Sequence, residues 1–297
     1  MTRSWQRAFL DAQRLPKAYL AVATEFFEPL ATCLAVRHAA RGATLLVGVN
    51  GSQGSGKSTL CAYLGATLRE THGLQAVDLS LDDFYLTRRE REVLATTVHP
   101  LLRTRGVPGT HDLLLLNRTL SALASPSTSA VKVPRFDKAE DDRHPEAAWP
   151  AVDAPLDIVL LEGWCLGARA VDDEALEAPI NALERAEDED GRWRRYVNSS
   201  LKRDYEPLYS RVDAWVMLAA PGFEQVLRWR TEQEEKLRAV RGAAGGAGLM
   251  DAMQLRRFVD HFERVTRQCL QTLPTQTDVL LQLDAGRNII GARGLET

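Results

Sequence analysis

One stretch of the chain decides its fold, and it reads Leu45-Leu46-Val47-Gly48-Val49-Asn50-Gly51-Ser52-Gln53-Gly54-Ser55-Gly56-Lys57-Ser58-Thr59-Leu60. The apolar first half predicts a buried strand, and the second half has the G-x-x-x-x-G-K-S spacing of a phosphate-binding loop that opens into a helix. Glycines let backbone N–H groups converge on phosphate oxygens, and the positive end of the helix dipole strengthens the attraction. A chance match in a turn of small residues is the alternative. The joint presence of strand, lysine and serine favours a nucleoside triphosphate site.

The residues of this loop have distinct expected roles. Lys57 is expected to reach the phosphates, and Ser58 is expected to bind the Mg²⁺ ion that accompanies the nucleotide. The predicted nucleotide-binding residues are Gly51, Ser52, Gln53, Gly54, Ser55, Gly56, Lys57, Ser58 and Thr59.

Length and charge limit the class of protein. A chain of 297 residues can bury a substantial core without disulfides or metals. Its formal net charge of -3 disfavours a nucleic-acid-binding protein, which normally carries a basic face. The four cysteines are far apart and are expected to be buried thiols in a reducing cytosol. We find no pattern of a signal peptide or a membrane span. We therefore expect a cytoplasmic protein with a small-molecule substrate and no nucleic-acid or membrane partner; its oligomeric state stays open.

Predicted strands alternate with helical or loop segments along the chain. This alternation predicts an α/β fold with a mostly parallel sheet that helices cover on both faces. Besides the strand at 45–50, strands are predicted at residues 75–81, 130–133, 156–161, 214–218 and 279–283. Apolar residues at helical spacing, interrupted once at Pro16, predict an N-terminal helical extension over residues 1–42. The main domain is then expected to span residues 43–297.

Acidic residues follow two of the predicted strands. Asp82 and Asp83 come directly after the strand at 75–81, where a carboxylate can accept a proton from a hydroxyl or hold a magnesium ion. An aspartate pair that caps a helix is the alternative. Glu162 ends an apolar strand in the Walker-B arrangement, with a surface glutamate in a turn as the alternative. Because the carboxyl ends of parallel strands share one edge of a sheet, we expect Ser58, Asp82 and Glu162 to form the metal site.

Two loops rich in cations are candidates for the substrate side. Arg103 and Arg105 lie in the segment 99–112, where Thr110 is expected to cap a helix that begins near His111. Arg135 follows a predicted strand in the segment 134–138. These cations suit an acidic substrate, whereas the alternatives are a solvated loop and salt-bridged surface charge.

A charged helical stretch over residues 223–240 precedes a run of glycine and alanine. In a phosphotransferase this pattern is typical of a mobile lid, here about residues 223–250, that brings cations over the phosphates. A solvated charged helix is the alternative. Arg230 is the first choice for a phosphate contact and Arg228 the second. The candidate cations are Arg228, Arg230, Lys236, Arg238 and Arg241.

Together these motifs resemble the P-loop kinases that include phosphoribulokinase, uridine kinase and pantothenate kinase, and most closely the D-glycerate 3-kinase family. The resemblance extends from about residue 43 to the C-terminus. It rests on the phosphate loop at 51–58 and on the segments 80–86, 105–112, 134–138 and 162–164. The R-G-x-P-G-T-H-D segment at 105–112 marks this family rather than its relatives.

The resemblance implies a P-loop NTPase-type fold and transfer of the γ-phosphate of Mg·ATP to a hydroxyl of a small acidic metabolite, with D-glycerate as the leading acceptor. It implies that Asp82 is the general base and places the adenine loop near residues 284–288. The remaining catalytic residues are then Lys57, Glu162 and Arg230, and the substrate-binding residues are Asp83, Tyr85, Arg103, Arg105, His111 and Arg135. A kinase for another sugar acid or a nucleoside, and an ATPase that acts as a regulatory switch, stay open as alternatives.

Overall fold

A computed structural model describes residues 2–241 and 250–296. The side chains of residues 233–234 and 236–241, which include the lid candidates Lys236, Arg238 and Arg241, lie outside this description, as does the glycine and alanine run at 242–249. The strands are Leu45–Gly51 (β1), Ala76–Ser80 (β2), Ala130–Lys132 (β3), Phe136–Asp137 (β4), Asp142–Arg143 (β5), Ala151–Asp153 (β6), Ile158–Gly163 (β7), Ala214–Ala219 (β8), Val279–Leu283 (β9) and Ile289–Arg293 (β10).

Helices connect these strands. The α-helices are Ser4–Gln13 (α1), Tyr19–Val22 (α2), Glu28–Arg41 (α3), Lys57–His72 (α4), Arg88–Thr97 (α5), Leu113–Leu123 (α6), Ala182–Glu187 (α7), Arg192–Ser200 (α8), Glu206–Tyr209 (α9), Phe223–Arg241 (α10) and Ala252–Thr272 (α11). Two π-helical turns, Ala23–Phe27 and Leu201–Tyr205, join α2 to α3 and α8 to α9. Short 3-10 helices cover Leu81–Phe84, Pro100–Arg103, Glu146–Ala148, Asp173–Leu176 and Leu273–Thr275.

The main sheet has six strands in the order β10-β9-β8-β1-β7-β2. Neighbouring strands pair in parallel except β10, which runs antiparallel to β9. Buried apolar residues of the sheet and its helices form one hydrophobic cluster on each face. The predicted α/β fold with a mostly parallel, helix-covered sheet is therefore confirmed.

Register brings three strand ends to the same edge of this sheet. Glu162 in β7 pairs with Val49 in β1 on one side and with Ser80 in β2 on the other. The residues that follow these positions, in the phosphate loop and in the Leu81–Phe84 turn, therefore leave the sheet side by side.

The strands of the structure differ from the sequence prediction in two places. The strand predicted at 130–133 exists as β3, but it pairs antiparallel with β6 in a separate two-stranded sheet. The last strand of the sheet, β10, was not predicted, because only partly buried and exposed residues occupy it and no apolar alternation marks it.

The N-terminal helices pack onto α4, the helix that follows the phosphate loop. The Tyr63 ring lies 5.4 Å from the ring of Trp5 and 5.2 Å from that of Phe9. Gln6 Nε2 donates a hydrogen bond to the Tyr63 hydroxyl at 3.0 Å. Residues 4–41 therefore share the core on this face of the sheet.

By length and composition the helical stretch Tyr19–Arg41 could span a membrane, with a mean hydropathy of 1.3. Its apolar side chains Ala23, Phe27, Leu30 and Leu34 are buried in the cluster that also contains α4 and β1. The buried share of this stretch, 33% of its most apolar window, therefore belongs to the core of the fold.

Replacement of Leu30 by alanine tests this packing. Leu30 is fully buried, so Leu30→Ala should lower the free energy of unfolding by about 2–5 kcal/mol through lost contacts and the cavity left behind. Val36, on the same helix, is 54% exposed, and Val36→Ala should change stability by no more than about 0.5 kcal/mol. Urea denaturation followed by circular dichroism measures both. Equal stability of the two variants would show that α3 does not belong to the cooperative core.

Candidate active site

The phosphate loop has the conformation that its glycines permit. Gly54 and Gly56 have φ angles of +79° and +92°, in the region that favours glycine, and α4 begins at Lys57 directly after Gly56. The hydroxyls of Ser52 and Ser55 are buried and have no hydrogen-bond partner among the described residues. Buried donors of this kind fit a bound anion, which would satisfy them.

A carboxylate from the neighbouring strand contacts the start of α4. Ser58 Oγ donates a hydrogen bond to Glu162 Oε1 at 2.8 Å, and Lys57 Nζ lies 3.7 Å from Glu162 Oε2. Glu162 is only 5% exposed, and its Oε2 accepts no hydrogen bond from any residue that the structure describes. A hydroxyl and a partly unsatisfied carboxylate are hard oxygen ligands, so this pair fits Mg²⁺.

Asp82 lies in the turn after β2 and has two hydrogen-bond donors. The Tyr85 hydroxyl donates to its Oδ1 at 2.7 Å, and Lys138 Nζ donates to its Oδ2 at 2.6 Å. Burial alone would raise the pKa of this carboxyl, but the charges of Lys138 and Lys57 and the two hydrogen bonds outweigh it and lower the pKa to about 2. Asp82 is therefore ionised at neutral pH.

Asp83, the next residue, holds the β4-β5 hairpin. Its Oδ1 accepts from the backbone N–H of Phe136 at 3.1 Å, and its Oδ2 accepts from Arg135 Nη1 at 3.2 Å. Burial raises the pKa of this carboxyl. Asp83 and Arg135 thus fix the hairpin that carries Lys138 to Asp82.

A buried arginine that sequence reasoning missed supports the same hairpin. Arg91 is 1% exposed; it donates to the carbonyl of Arg103 at 2.7 Å and lies 3.0 Å from the carboxylate of Asp141. Arg105 donates to the same carboxylate, and its guanidinium lies over the Phe136 ring. Arg91 is in a run of charged residues, R-R-E-R-E, which hides its position on the buried side of α5 together with Ala95.

The predicted cation-rich loops therefore contain two kinds of arginine. Arg105 and Arg135 are paired with Asp141 and Asp83. The side chain of Arg103 is exposed and has no hydrogen-bond or ion-pair partner within residues 2–241 and 250–296.

The segment 105–112 packs against helices on the same side of the sheet. A Cβ on Gly106 would lie 2.5 Å from the Phe262 ring, and one on Gly109 would lie 2.6 Å from the Tyr196 ring. The expected helix cap at Thr110 is wrong: its hydroxyl accepts from Gly106 N and donates to Val107 O, and Asp112 caps α6 instead.

His111 is buried beside Tyr85, with ring centroids 4.8 Å apart. The Tyr205 hydroxyl accepts from Gly109 N at 3.2 Å and lies 2.5 Å from His111 Nδ1. Either atom can donate the His111–Tyr205 hydrogen bond, depending on the tautomer of the histidine. Nε2 is buried and has no hydrogen-bond partner in the described part of the chain.

The lid candidates lie on α10. The Arg230 guanidinium lies 5.7 Å from the ring centroid of Phe258 in α11, and Arg228 is exposed. Trp229, between them, is fully buried, and its Nε1 donates to the carbonyl of Ala285 at 2.9 Å. The loop expected to hold adenine therefore contacts α10.

Comparison with known proteins identifies the family. No family model matches the chain. The chain is 36% identical over 211 residues to an uncharacterized kinase, mug58, of Schizosaccharomyces pombe, and the match covers 67% of this chain and 73% of that protein. It is 31% identical over 262 residues to a chloroplastic D-glycerate 3-kinase of Arabidopsis thaliana, a match that covers 83% of this chain and 54% of the plant protein.

A solved structure agrees with these relatives. The D-glycerate 3-kinase of Cryptococcus neoformans var. grubii superimposes with a TM-score of 0.72 at 26% identity, covering 92% of this chain and 98% of that one. The chain belongs to the D-glycerate 3-kinase family of P-loop kinases. It is therefore an ATP-dependent phosphotransferase with an alcohol group as acceptor.

The buried histidine of this kinase gives a pH test. Burial lowers the pKa of His111 from 6.5 to about 4, against the opposing pull of the Asp82 charge. As the pH falls below 6.5, His111 binds a proton in the unfolded chain but stays neutral in the folded kinase. The contribution of His111 to the free energy of unfolding is therefore fully present above pH 6.5 and is lost between pH 6.5 and 4. His111→Gln should reduce the slope of the free energy of unfolding against pH in this range by at most about 1.4 kcal/mol per pH unit.

Urea denaturation at several pH values between 7 and 4.5 measures this slope. Burial also lowers the pKa of His261 to about 4, so His261→Gln serves as a matched variant in another part of the core and should flatten the slope similarly. An unchanged slope in His111→Gln would contradict a depressed pKa at that residue.

Proposed function

We propose that this kinase transfers the γ-phosphate of Mg·ATP to D-glycerate and forms 3-phosphoglycerate. The observation that supports this most is the position of Asp82, an ionised carboxylate in a turn directly beside the strand that carries Glu162. The plant relative and the fungal structure are both named D-glycerate 3-kinases.

Asp82 suits the role of base. Its carboxylate, aligned by the Tyr85 hydroxyl, would accept the proton of the acceptor hydroxyl as that oxygen bonds to phosphorus. Phosphoryl transfer needs little covalent help from the protein, so the alignment of this hydroxyl with the phosphate supplies much of the catalysis.

The phosphate side is proposed to depend on α4 and its loop. Lys57 would contact the transferred phosphate, and the buried hydroxyls of Ser52 and Ser55 would donate to phosphate oxygens. Ser58 and Glu162, with Asp82 nearby, would hold Mg²⁺, which when bound neutralises phosphate charge.

An anionic acceptor would fit the exposed cations of the β4-β5 hairpin and of the loop before α6. Lys138 is 60% exposed at its side chain, and Arg103 is exposed without a partner among the described residues. The carboxylate of glycerate could pair with such cations and so decide which hydroxyl faces the phosphate. Arg105, Arg135 and His111 are proposed to shape this pocket, since they fix the loops that surround it.

Substitution of Asp82 tests the base. Asp82→Asn should lower kcat by about 10²–10⁴-fold, because the amide cannot take the proton, while the Kd for ATP changes little. Lys57→Ala should impair both kcat and ATP binding. Asp78→Asn, an equal change at an exposed position of β2, is the control and should retain wild-type kinetics. Near-normal turnover of Asp82→Asn would refute the assignment.

A panel of acceptors tests the substrate. ADP release should be stimulated by D-glycerate and much less by L-glycerate, uridine, pantothenate or ribulose 5-phosphate, and ³¹P NMR should identify 3-phosphoglycerate as the product. Stimulation by another acceptor alone would agree with kinase activity but refute D-glycerate as the substrate. Slow hydrolysis that is indifferent to every acceptor would favour a regulatory ATPase.

A further inference from the structure

Arg287, in the turn between β9 and β10, joins three parts of the kinase. Its Nε donates a hydrogen bond to the carbonyl of Gly54 in the phosphate loop at 2.8 Å. Its Nη2 lies 2.8 Å from the carboxylate of Glu232 on α10. Its guanidinium also lies 5.1 Å from the centroid of the Trp229 indole, where cation and ring attract each other. One planar cation therefore contacts the phosphate loop and the α10 helix at the same time.

The backbone of Arg287 is strained, and the turn itself does not need the side chain. Arg287 has a φ angle of +68°, a left-handed conformation that glycine adopts far more readily. The turn is closed by Asp284, whose carboxylate accepts from the backbone N–H groups of Gly286 and Asn288. A strained residue that is not needed for local closure points to a function of its side chain.

The hydrogen bond from Arg287 to Gly54 bears directly on how the loop binds phosphate. A phosphate loop binds its ligand through N–H groups, and a carbonyl oxygen that faced the phosphate would repel it. Arg287 holds the Gly54 carbonyl in a hydrogen bond to a cation and so keeps this peptide oxygen engaged elsewhere. The orientation of the loop peptide therefore depends on a residue 233 positions away in the chain.

The contacts with α10 involve more than the ion pair. Trp229 Nε1 donates to the carbonyl of Ala285 at 2.9 Å, and Gln225 Nε2 donates to the same carbonyl at 3.4 Å. The turn is thus attached to α10 at two places, through Ala285 and through Arg287. Arg287 is therefore in contact with Glu232 and Trp229 on one side and with the phosphate loop on the other.

We propose that Arg287 is a positioning residue that couples occupancy of the phosphate loop to the position of the α10 lid. This inference rests on the proposed function, because it takes ATP as the phosphate donor and α10 as part of the lid. Arg287 acts through the Gly54 peptide on one side and through Glu232 and Trp229 on the other. It is distinct from the cations on α10 that were expected to reach the phosphates themselves.

Binding of the non-hydrolysable analogue AMP-PNP, measured by calorimetry, tests the coupling. Arg287→Met should weaken binding about tenfold and leave the KM for the acceptor unchanged. Arg293→Met is the matched control, because Arg293 lies on β10 and, among the residues that the structure describes, donates only to the carbonyls of Pro274 and Thr277; its Kd should equal that of the wild type.

A second variant separates positioning from stability. Arg287→Gly removes the side chain and also relieves the left-handed backbone, so its thermal midpoint should stay within about 2 °C of the wild type while its affinity falls as in Arg287→Met. Wild-type affinity in Arg287→Gly and Arg287→Met would overturn the proposal. A loss of affinity that merely follows a loss of folded protein would overturn it as well.

Fluorescence and a double-mutant cycle report on the lid. The emission of Trp229, isolated by subtracting spectra of Trp229→Phe counterparts, should change on AMP-PNP binding in the wild type and in Arg293→Met but not in Arg287→Met at saturation. Glu232→Gln should weaken binding less than Arg287→Met, and the double variant should be no weaker than Arg287→Met alone. Additive losses, or a change in Trp229 emission in Arg287→Met as large as that in the wild type, would refute coupling.

These outcomes are distinguishable from failure of the proposed reaction. A wild-type kinase that binds AMP-PNP but does not phosphorylate D-glycerate would refute the acceptor and leave the binding and fluorescence predictions to be judged on their own. A wild-type kinase that does not bind AMP-PNP would overturn both proposals.

Discussion

The parallel register of β1, β7 and β2 is the constraint on which the site depends. Glu162 pairs with Val49 and with Ser80, so the three chains that carry the chemistry leave the sheet next to one another. A shift of one residue in β7 would turn Glu162 to the opposite face of the sheet and separate it from Ser58. The apolar residues of these strands fill both core clusters, so core packing and active-site geometry oppose the same shift.

Around this edge the kinase uses buried ionic contacts to fix loops that have little regular structure. Asp83 and Arg91 hold the short β4-β5 hairpin from opposite ends, one at Phe136 and one at Asp141. Loss of one partner in such a network leaves a buried charge unpaired, which costs more than the pair itself contributes. The hairpin is therefore defined well enough to bring a single lysine, Lys138, within 2.6 Å of Asp82.

Local signals in the sequence were sufficient to predict the strands and the phosphate loop that carry the site. The phosphate loop and the strands β1, β2, β7, β8 and β9 follow from apolar runs and turn residues, since short-range periodicity reports burial directly. Partners distant in sequence could not be derived in this way. Thr110 forms its hydrogen bonds within its own loop rather than at a helix end. Arg91 is buried because Asp141 and Phe136, distant in sequence, contact its side chain. Neither arrangement has a local signature in the sequence. The same holds for Arg287, whose partners are in two other segments.

The contact between Gly54 and Arg287 also bears on how the kinase is made. The phosphate loop is synthesised before β8 and β9, which complete the sheet beside β1. Contacts of such long sequence separation close slowly, and they cannot form before both ends have been synthesised. In a nascent chain the Gly54 carbonyl therefore lacks its hydrogen bond from Arg287 until the turn after β9 has been synthesised, so the phosphate loop acquires its final contacts late.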